Sequence, residues 1–185
     1  SDFSKNISVW TILFIACVLL VAPLFALLVT GDPGIVAKRL PGNSAIEELQ
    51  AKLDTETKFA DPTLSVNRIC FSCWEWKGLR SKHCSECDMC VSNFDHHCGW
   101  INNCVAEKNH RQFVLMVFAV FIGMIIYLVI SLESFFTGTL SFFDLLWTKP
   151  LQVPCWLINL LVLPWLAILV FHQARAIALN LNTNE

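Results

Sequence analysis

A membrane α-helical fold that carries a metal-stabilised, cysteine-rich domain is the fold class that this sequence predicts. Hydrophobic residues make up 55% of the 185-residue chain, more than an ordinary soluble domain contains. They are concentrated in three long apolar runs, which predict helices that cross a membrane. Between the first two runs, ten cysteines and histidines lie within the stretch from Cys70 to Cys104, which predicts a small domain folded around metal ions.

The three apolar runs are each long enough to cross a bilayer, which takes about 20 residues in a helix. Residues 7–29, 113–132 and 153–171 contain no Asp, Glu, Lys or Arg. The first run is too long for a signal peptide and has no basic leader. We therefore expect membrane spans at residues 1–30, 112–132 and 153–172.

The positive charges predict the orientation of the chain. Ten of its thirteen Lys and Arg residues lie between Gly31 and Gln112, so the positive-inside rule places this segment in the cytosol. The loop at 133–152 is then lumenal and the tail at 173–185 cytosolic. Cytosolic cysteines stay reduced, so we expect the cluster to hold metal rather than disulfides.

The cytosolic segment at 31–67 begins with a turn and is expected to contain one short helix. Ser44 has the character of an N-cap, with Glu47 three residues later at the capping-box position. Apolar residues follow at helical spacing, which predicts a helix from about Ala45 to Leu53. We expect this helix to connect its neighbours, with a single stripe packed against them.

The cluster contains more ligands than two metal ions need. Two closed tetrahedral zinc sites use eight residues, which leaves one cysteine and one histidine. A spare cysteine beside a spare histidine is the arrangement required of a nucleophile and its general base. The ten candidates are Cys70, Cys73, His83, Cys84, Cys87, Cys90, His96, His97, Cys98 and Cys104.

The complete pattern resembles the cysteine-rich domain of the DHHC-type protein S-acyltransferases, which attach palmitate and similar chains to protein cysteines. In this chain the domain covers residues 68–111, and the resemblance extends to both sides of it. The flanking motifs are Asp32-Pro33-Gly34, Asn102-Asn103-Cys104, Asn109-His110-Arg111 and Asn182-Thr183-Asn184-Glu185, the last of which is similar to the family's TTxE motif.

The resemblance implies two structural zinc ions with full coordination shells. One zinc site would consist of Cys70, Cys73, His83 and Cys90, and the other of Cys84, Cys87, His97 and Cys104. The residues that remain are His96 and Cys98, which agrees with the count.

The resemblance also implies the chemistry. Asp95 would orient His96, His96 would take the proton of Cys98, and the thiolate would attack the thioester of an acyl-CoA such as palmitoyl-CoA. The acyl chain would then pass to a client protein with a cytosolic juxtamembrane cysteine. Three residues are expected to support this site: Thr183, Asp32 and Asn109.

The acyl chain and the CoA phosphates would each need a place to bind. A nucleophile at the membrane boundary lets the chain run into a cavity between helices, for which Trp100 and Gly123 are candidate residues, while CoA stays in solvent. Gly123 has an alternative role in close packing of helices, which is common for membrane glycines. Candidate cations for the phosphates, each with an alternative role as a solvated or headgroup-facing charge, are Arg68, Arg80, Lys82, Lys108 and Arg111.

Two departures from the family pattern concern the site. Gly99 follows Cys98 where the family usually has Pro, and Asn182 replaces the first Thr of TTxE. Because of Gly99, a catalytically silent zinc-stabilised membrane scaffold is an alternative function. A zinc hydrolase or deaminase is a weaker one, because the chain has no H-x-E with P-C-x-x-C.

The cellular setting follows from the same resemblance. We expect a multi-pass protein of the Golgi, endoplasmic reticulum or plasma membrane, with the catalytic domain in the cytosol and no nucleic-acid partner. The family usually has at least four spans, so we expect the chain to be an excerpt with at least one helix upstream.

Overall fold

The computed structural model describes residues 2–36, 38–39, 42–56, 67–136 and 150–183. The chain divides into two compact units. The membrane unit consists of Ser1–Ala26 and Gln112–Leu179, and the cysteine-rich unit consists of Leu27–Arg111 and Asn180–Glu185. The helices of the described residues are α1 (Asp2–Thr30), α2 (Asn43–Glu56), α3 (His110–Phe136) and α4 (Gln152–Leu179).

Three of these helices, α1, α3 and α4, are long and apolar enough to cross a membrane. This confirms the expected membrane α-helical class. Helix α4 continues to Leu179, seven residues beyond the predicted end of the third span at 172. Inside the membrane unit, the Asn159 side chain donates to the Met124 carbonyl at 3.2 Å, because a polar amide between membrane helices requires a partner.

Within the residues that the structure describes, the cysteine-rich unit contains three two-stranded antiparallel hairpins. Their strands have only two or three residues each, which agrees with the expectation of little regular secondary structure. Strands this short cannot build a core of their own, so the cysteines and histidines take its place. The hairpins are β1 (Ile69–Cys70) with β2 (Glu75–Trp76), β3 (Lys82–Cys84) with β4 (Met89–Val91), and β5 (His96–Cys98) with β6 (Asn103–Val105).

The three hairpins repeat one design. Each connection has four residues, and its last residue has a positive φ: 48° at Trp74, 49° at Asp88 and 46° at Asn102. Asp and Asn tolerate this left-handed conformation better than most residues do. The three turn residues are spaced 14 apart, and the strand registers shift by the same interval. The repeat therefore places equivalent side chains at equivalent points of each hairpin.

Helix α2 confirms the predicted short helix but begins earlier than expected. The Gly42 carbonyl accepts the first helical hydrogen bond, from the Ile46 amide at 3.0 Å. Gly42 therefore holds the cap position, and the predicted N-cap at Ser44 is wrong because Ser44 already lies within the helix. The apolar stripe is buried through Ala45 and Leu49.

Candidate functional site

The first cluster joins two successive hairpins. Cys70 and Cys73 come from the β1–β2 hairpin, and His83 and Cys90 come from opposite positions of β3 and β4. The distances from the His83 Nδ1 to the sulfurs are 3.6 Å for Cys70, 3.3 Å for Cys73 and 4.0 Å for Cys90.

The second cluster repeats this arrangement 14 residues further along the chain. Cys84 and Cys87 come from the β3–β4 hairpin, and His97 and Cys104 face each other across β5 and β6. The distances from the His97 Nδ1 to the sulfurs are 3.6 Å for Cys84, 3.4 Å for Cys87 and 3.8 Å for Cys104. The middle hairpin thus contributes two residues to each cluster, which ties the three hairpins together.

Both clusters fit a four-coordinate metal ion. In a tetrahedral site with metal–sulfur bonds of about 2.3 Å and metal–nitrogen bonds of about 2.0 Å, neighbouring sulfur and nitrogen atoms lie about 3.5 Å apart. The observed separations scatter around that value, and the four donor atoms of each cluster lie within 4.8 Å of one another. Each set, three cysteines and one histidine, is of the kind that structural zinc sites use.

Asp95, His96 and Cys98 are brought together at the edge of the third hairpin, outside both clusters. The Asp95 carboxylate is buried, and its Oδ2 lies 2.8 Å from the His96 Nδ1. His96 is also hydrogen-bonded to the Cys98 thiol. The imidazole therefore links a carboxylate to a thiol.

The electrostatics of these three groups favour charge separation. Burial opposes ionisation of Asp95, but hydrogen bonds from His96 and Thr183 outweigh it and lower the Asp95 pKa to about 2. Burial likewise disfavours the imidazolium, yet the hydrogen bonds to Asp95 and Cys98 raise the His96 pKa to about 9. Burial of Cys98 is outweighed by the His96 contact, and its pKa is lowered. The resting pair is thus biased toward imidazolium and thiolate.

Two backbone amides also contact the Cys98 sulfur. The Ile101 N–H donates to the Cys98 carbonyl oxygen at 3.2 Å, and the Ile101 and Trp100 amides both help to lower the Cys98 pKa through their contacts with its sulfur. Gly99, the residue between them and Cys98, has open space where a side chain would project. The sequence did not predict these donors, because backbone groups leave no trace in residue type.

Residues from the end of the chain hold Asp95 in place. The Thr183 amide donates to Asp95 Oδ1 at 2.6 Å, and the Thr183 hydroxyl donates to Oδ2 at 2.7 Å. Asn182 Nδ2 donates to Asn93 Oδ1 at 2.9 Å and to the Phe94 carbonyl at 3.3 Å. Thr183 thus lies where a supporting residue was expected, and the departure at Asn182 introduces donors of its own.

The two other expected supporting residues stabilise loops beside the hairpins. Asp32 accepts hydrogen bonds from the Ile35 amide, the Lys108 ammonium and the Gly34 amide, and these contacts, in that order of importance, lower its pKa to about 2. The buried Asn109 accepts from the Ala106 amide and donates to the Cys104 carbonyl, both at 2.8 Å. Asn109 therefore fixes the chain directly after a metal-ligand candidate.

Asn103 has a role that the sequence reasoning did not assign. Its Nδ2 donates to the carbonyls of Leu28 and Gly31, both at 2.9 Å, and so caps the last turn of α1. In the β5–β6 hairpin it lies directly opposite Cys98. The sequence offers two weak signals for this role: an Asn side chain directly before a ligand candidate, and an apolar span, far earlier in the chain, that ends in a turn.

The two candidate acyl-chain residues lie in different surroundings. The Trp100 side chain is 92% exposed. A side chain added at Gly123 would meet the Cys17 Cβ at 3.4 Å, which supports close packing of helices around Gly123. Near this contact, the membrane unit has an apolar groove of about 540 Å³, lined by Trp10, Leu13, Cys17, Ile122 and Ile126, among others.

Three of the five candidate phosphate ligands already have partners. Arg68 pairs with Glu56 and stacks over Trp76, with the guanidinium carbon 5.2 Å from the ring centroid. The Arg80 guanidinium donates to the Asn180 carbonyl at 2.9 Å, and Lys108 pairs with Asp32. Lys82 and Arg111 are exposed and form no ion pair within the part of the chain that the structure describes.

Comparisons with known proteins match this site to one family. The family model described as DHHC palmitoyltransferase matches residues 64–185. The chain is 36% identical to Palmitoyltransferase ZDHHC8 of Drosophila melanogaster over 55% of its length, 33% to Palmitoyltransferase akr1 of Aspergillus oryzae over 83%, and 30% to Palmitoyltransferase ZDHHC9 of Pongo abelii over 83%. The matches cover 11%, 22% and 46% of those proteins, so the chain spans less than half of each.

Proposed function

This chain belongs to the DHHC palmitoyltransferase family, and from that premise we propose that the complete protein is a protein S-acyltransferase. It transfers a long-chain acyl group from an acyl-CoA, through a thioester on Cys98, to cysteines of client proteins. The observation that carries the proposal is the hydrogen-bonded series from Asp95 through His96 to Cys98.

In the first half-reaction, the Cys98 thiolate attacks the thioester carbonyl of the acyl-CoA. A bond forms between the Cys98 sulfur and the acyl carbon, and the bond between that carbon and the CoA sulfur breaks. His96 holds the proton that came from Cys98 and gives it to the departing CoA thiolate. Asp95 stabilises the imidazolium while this proton is held.

In the second half-reaction, His96 takes the proton of a client cysteine. That thiolate attacks the acyl carbon on Cys98, and the proton returns to the Cys98 thiolate as it leaves. One thioester is exchanged for another in both steps, so neither step needs a second source of energy. The enzyme follows a two-step ping-pong course.

We propose that each cysteine and histidine cluster holds one structural zinc ion. The ligands are those grouped above, and each ion has four protein donors. The apolar core of this unit is too small to hold the hairpins together. When bound, zinc would link them through its bonds to the cysteines and histidines. The residues then do the chemistry on a fixed frame: Asp95 and His96 stay aligned because their strand is held at His97 and Cys104.

The membrane setting explains how the substrates meet. We propose that the cysteine-rich unit faces the cytosol, where CoA and juxtamembrane client cysteines are available. Burial of a palmitoyl chain in the bilayer contributes on the order of 11 kcal/mol, at about 0.8 kcal/mol for each methylene. The exposed Lys82 and Arg111 are available for the CoA phosphates. The compartment would be the Golgi, endoplasmic reticulum or plasma membrane.

The test is to incubate the purified full-length protein with labelled palmitoyl-CoA, without a client. We expect one labelled thioester per chain, sensitive to hydroxylamine, and release of an equal amount of CoA. Cys98→Ser should abolish the label and retain two zinc ions. A folded wild-type protein that stays unlabelled would favour the silent scaffold, and loss of zinc in the variant would show that a ligand was mistaken for the nucleophile.

A further inference from the structure

The nucleophile candidate Cys98 occupies a metal-ligand position of the repeated hairpin. Cys70, Cys84 and Cys98 are spaced 14 residues apart, and each is the last residue of the first strand of its hairpin. Cys70 pairs with Glu75, Cys84 with Met89 and Cys98 with Asn103, in the same register. Backbone geometry therefore does not distinguish Cys98 from two metal-ligand candidates.

The second ligand position of the hairpin differs in the third copy. Cys73 and Cys87 lie three residues after the first cysteine of their hairpins, and Ile101 holds that position in the third. Ile101 is fully buried, at 1% exposure, as is Cys73 at 0%. The two positions also precede turn residues of similar positive φ, 48° at Trp74 and 46° at Asn102.

The backbone amides that contact the first ligand sulfur of the β1–β2 hairpin have counterparts around Cys98. The Cys70 sulfur accepts hydrogen bonds from the amides of Ser72 and Cys73, two and three residues further on. The Cys98 sulfur accepts from the amides two and three residues further on in its own turn, those of Trp100 and Ile101. In a metal knuckle, a pair of CysXXCys-type ligands with such backbone donors, the amides hold the first ligand sulfur in position.

We infer that the reacting turn, Cys98–Ile101, is a zinc knuckle that has lost its second ligand, with Ile101 in the place of that ligand. The inference rests on the proposed function only for the statement that Cys98 reacts. It assigns two roles that the series from Asp95 to Cys98 does not contain. The Trp100 and Ile101 amides hold the sulfur in position, and the Ile101 side chain keeps metal ions off it.

The most direct test restores the missing ligand. In Ile101→Cys, two thiols stand at knuckle spacing, and His96 already contacts the Cys98 sulfur. Two sulfurs and one imidazole, with water in the fourth position, form a known kind of zinc site. The matched control is Ile101→Ser, which differs from the test variant by one atom, oxygen in place of sulfur.

The full-length variants are purified with zinc or cobalt and analysed for metal per chain. I101C should bind three metal ions, form no acyl-enzyme, and show additional thiolate-to-cobalt absorption. I101S should bind two ions, and adding Cys98→Ser to I101C should return the count to two. A folded I101C protein that binds only two ions at saturating zinc overturns the inference.

A second measurement does not depend on how well I101C folds. In the wild-type protein, the Trp100 amide should be protected from hydrogen exchange although its side chain is exposed, because it donates to the Cys98 sulfur. Cys98→Ala removes that acceptor and should accelerate exchange at Trp100 by about tenfold, the effect of one lost hydrogen bond. Unchanged exchange at this amide overturns the donor role.

These results are separable from the proposed function. Metal content and amide exchange are measured without acyl-CoA. If the wild-type protein formed no acyl-enzyme while I101C still bound a third ion, the knuckle would be supported and the acyltransferase proposal refuted.

Discussion

Thr183 donates two hydrogen bonds to the Asp95 carboxylate, one to each oxygen, although 88 residues separate the two in sequence. Together with the contact from His96, they leave the buried carboxylate with three donors. Three donors satisfy a charge that burial alone would make costly. The end of the chain is therefore part of the arrangement that orients His96.

Asn182 should be a positioning residue for this arrangement. Its side-chain nitrogen donates to Asn93 and to the Phe94 carbonyl, directly before Asp95. Asn182→Asp keeps the shape of the side chain but removes its N–H donor. The Asn93 side-chain oxygen and the Phe94 carbonyl would then face a carboxylate instead of a donor. We expect the maximal rate of acyl-enzyme formation to fall about tenfold, with the half-saturating acyl-CoA concentration and the zinc content unchanged.

The matched control for Asn182→Asp is Asn180→Asp. Asn180 contacts Arg80 through its backbone carbonyl, so its side chain can change without loss of that bond. Its φ of 52° is one that Asp also tolerates. Equal rates in the two variants, measured by single-turnover acylation, would show that Asn182 does not position Asp95.

Asn103 should contribute to the stability of the cysteine-rich unit. Asn103→Asp retains the oxygen that accepts from the Cys104 amide but removes the donor to the Leu28 and Gly31 carbonyls. It also places a negative charge at the C-terminus of α1, where the helix dipole disfavours it. We expect the free energy of unfolding to fall by about 1–3 kcal/mol, which would be measured as a lower midpoint of thermal unfolding in detergent.

For that comparison the neighbouring Asn102→Asp is the reference. Asn102 is exposed and keeps a φ that Asp tolerates, so the same charge is added one residue away without loss of the cap. If both variants unfolded at the same temperature, the capping role of Asn103 would be refuted.

Gly123 allows a prediction about acyl-chain length. Gly123 is a candidate residue of the acyl-chain cavity, where its lack of a side chain would leave the cavity without a floor, whereas the contact with Cys17 supports helix packing. If Gly123 is the missing floor, the wild-type protein accepts stearoyl-CoA about as well as palmitoyl-CoA. Gly123→Phe should then shift preference toward shorter chains, since a ring there pushes against Cys17, which lines the apolar groove.

Competition between acyl-CoAs of different length measures this preference. Gly123→Ala provides the control, because its Cβ would be in ordinary contact with Cys17 and should leave the preference as it is. An active, folded Gly123→Phe protein with wild-type preference would rule out the cavity-floor role and leave the packing role.

Much of this account could be predicted from the sequence because its strongest signals are chemical. Apolar runs predicted three membrane helices, and the spacing of the ten ligand candidates matched a known pattern. The two groups of four residues that could hold a metal ion are the ones that the family resemblance implied. Such signals survive without coordinates because they depend on which residues are present.

The remaining features depend on backbone geometry. The amides of Trp100 and Ile101 point at Cys98 because of a turn, and no residue type signals that turn uniquely. The cysteine pattern does not reveal the 14-residue repeat of the hairpins, because the third hairpin has Ile101 where the first two have a cysteine. Asn103 and Asn182 act across long sequence separations, which only the fold brings together.

The adjacent histidines provide the most direct test of the central claim that eight residues bind metal while His96 and Cys98 do the chemistry. His96→Ala should retain two zinc ions per chain and form no acyl-enzyme, because it removes the base. His97→Ala should lose one zinc ion and unfold more readily, because it opens a coordination shell. Zinc analysis of both purified proteins, beside the acylation assay, decides the matter. Equal zinc loss in the two variants would contradict the division of roles.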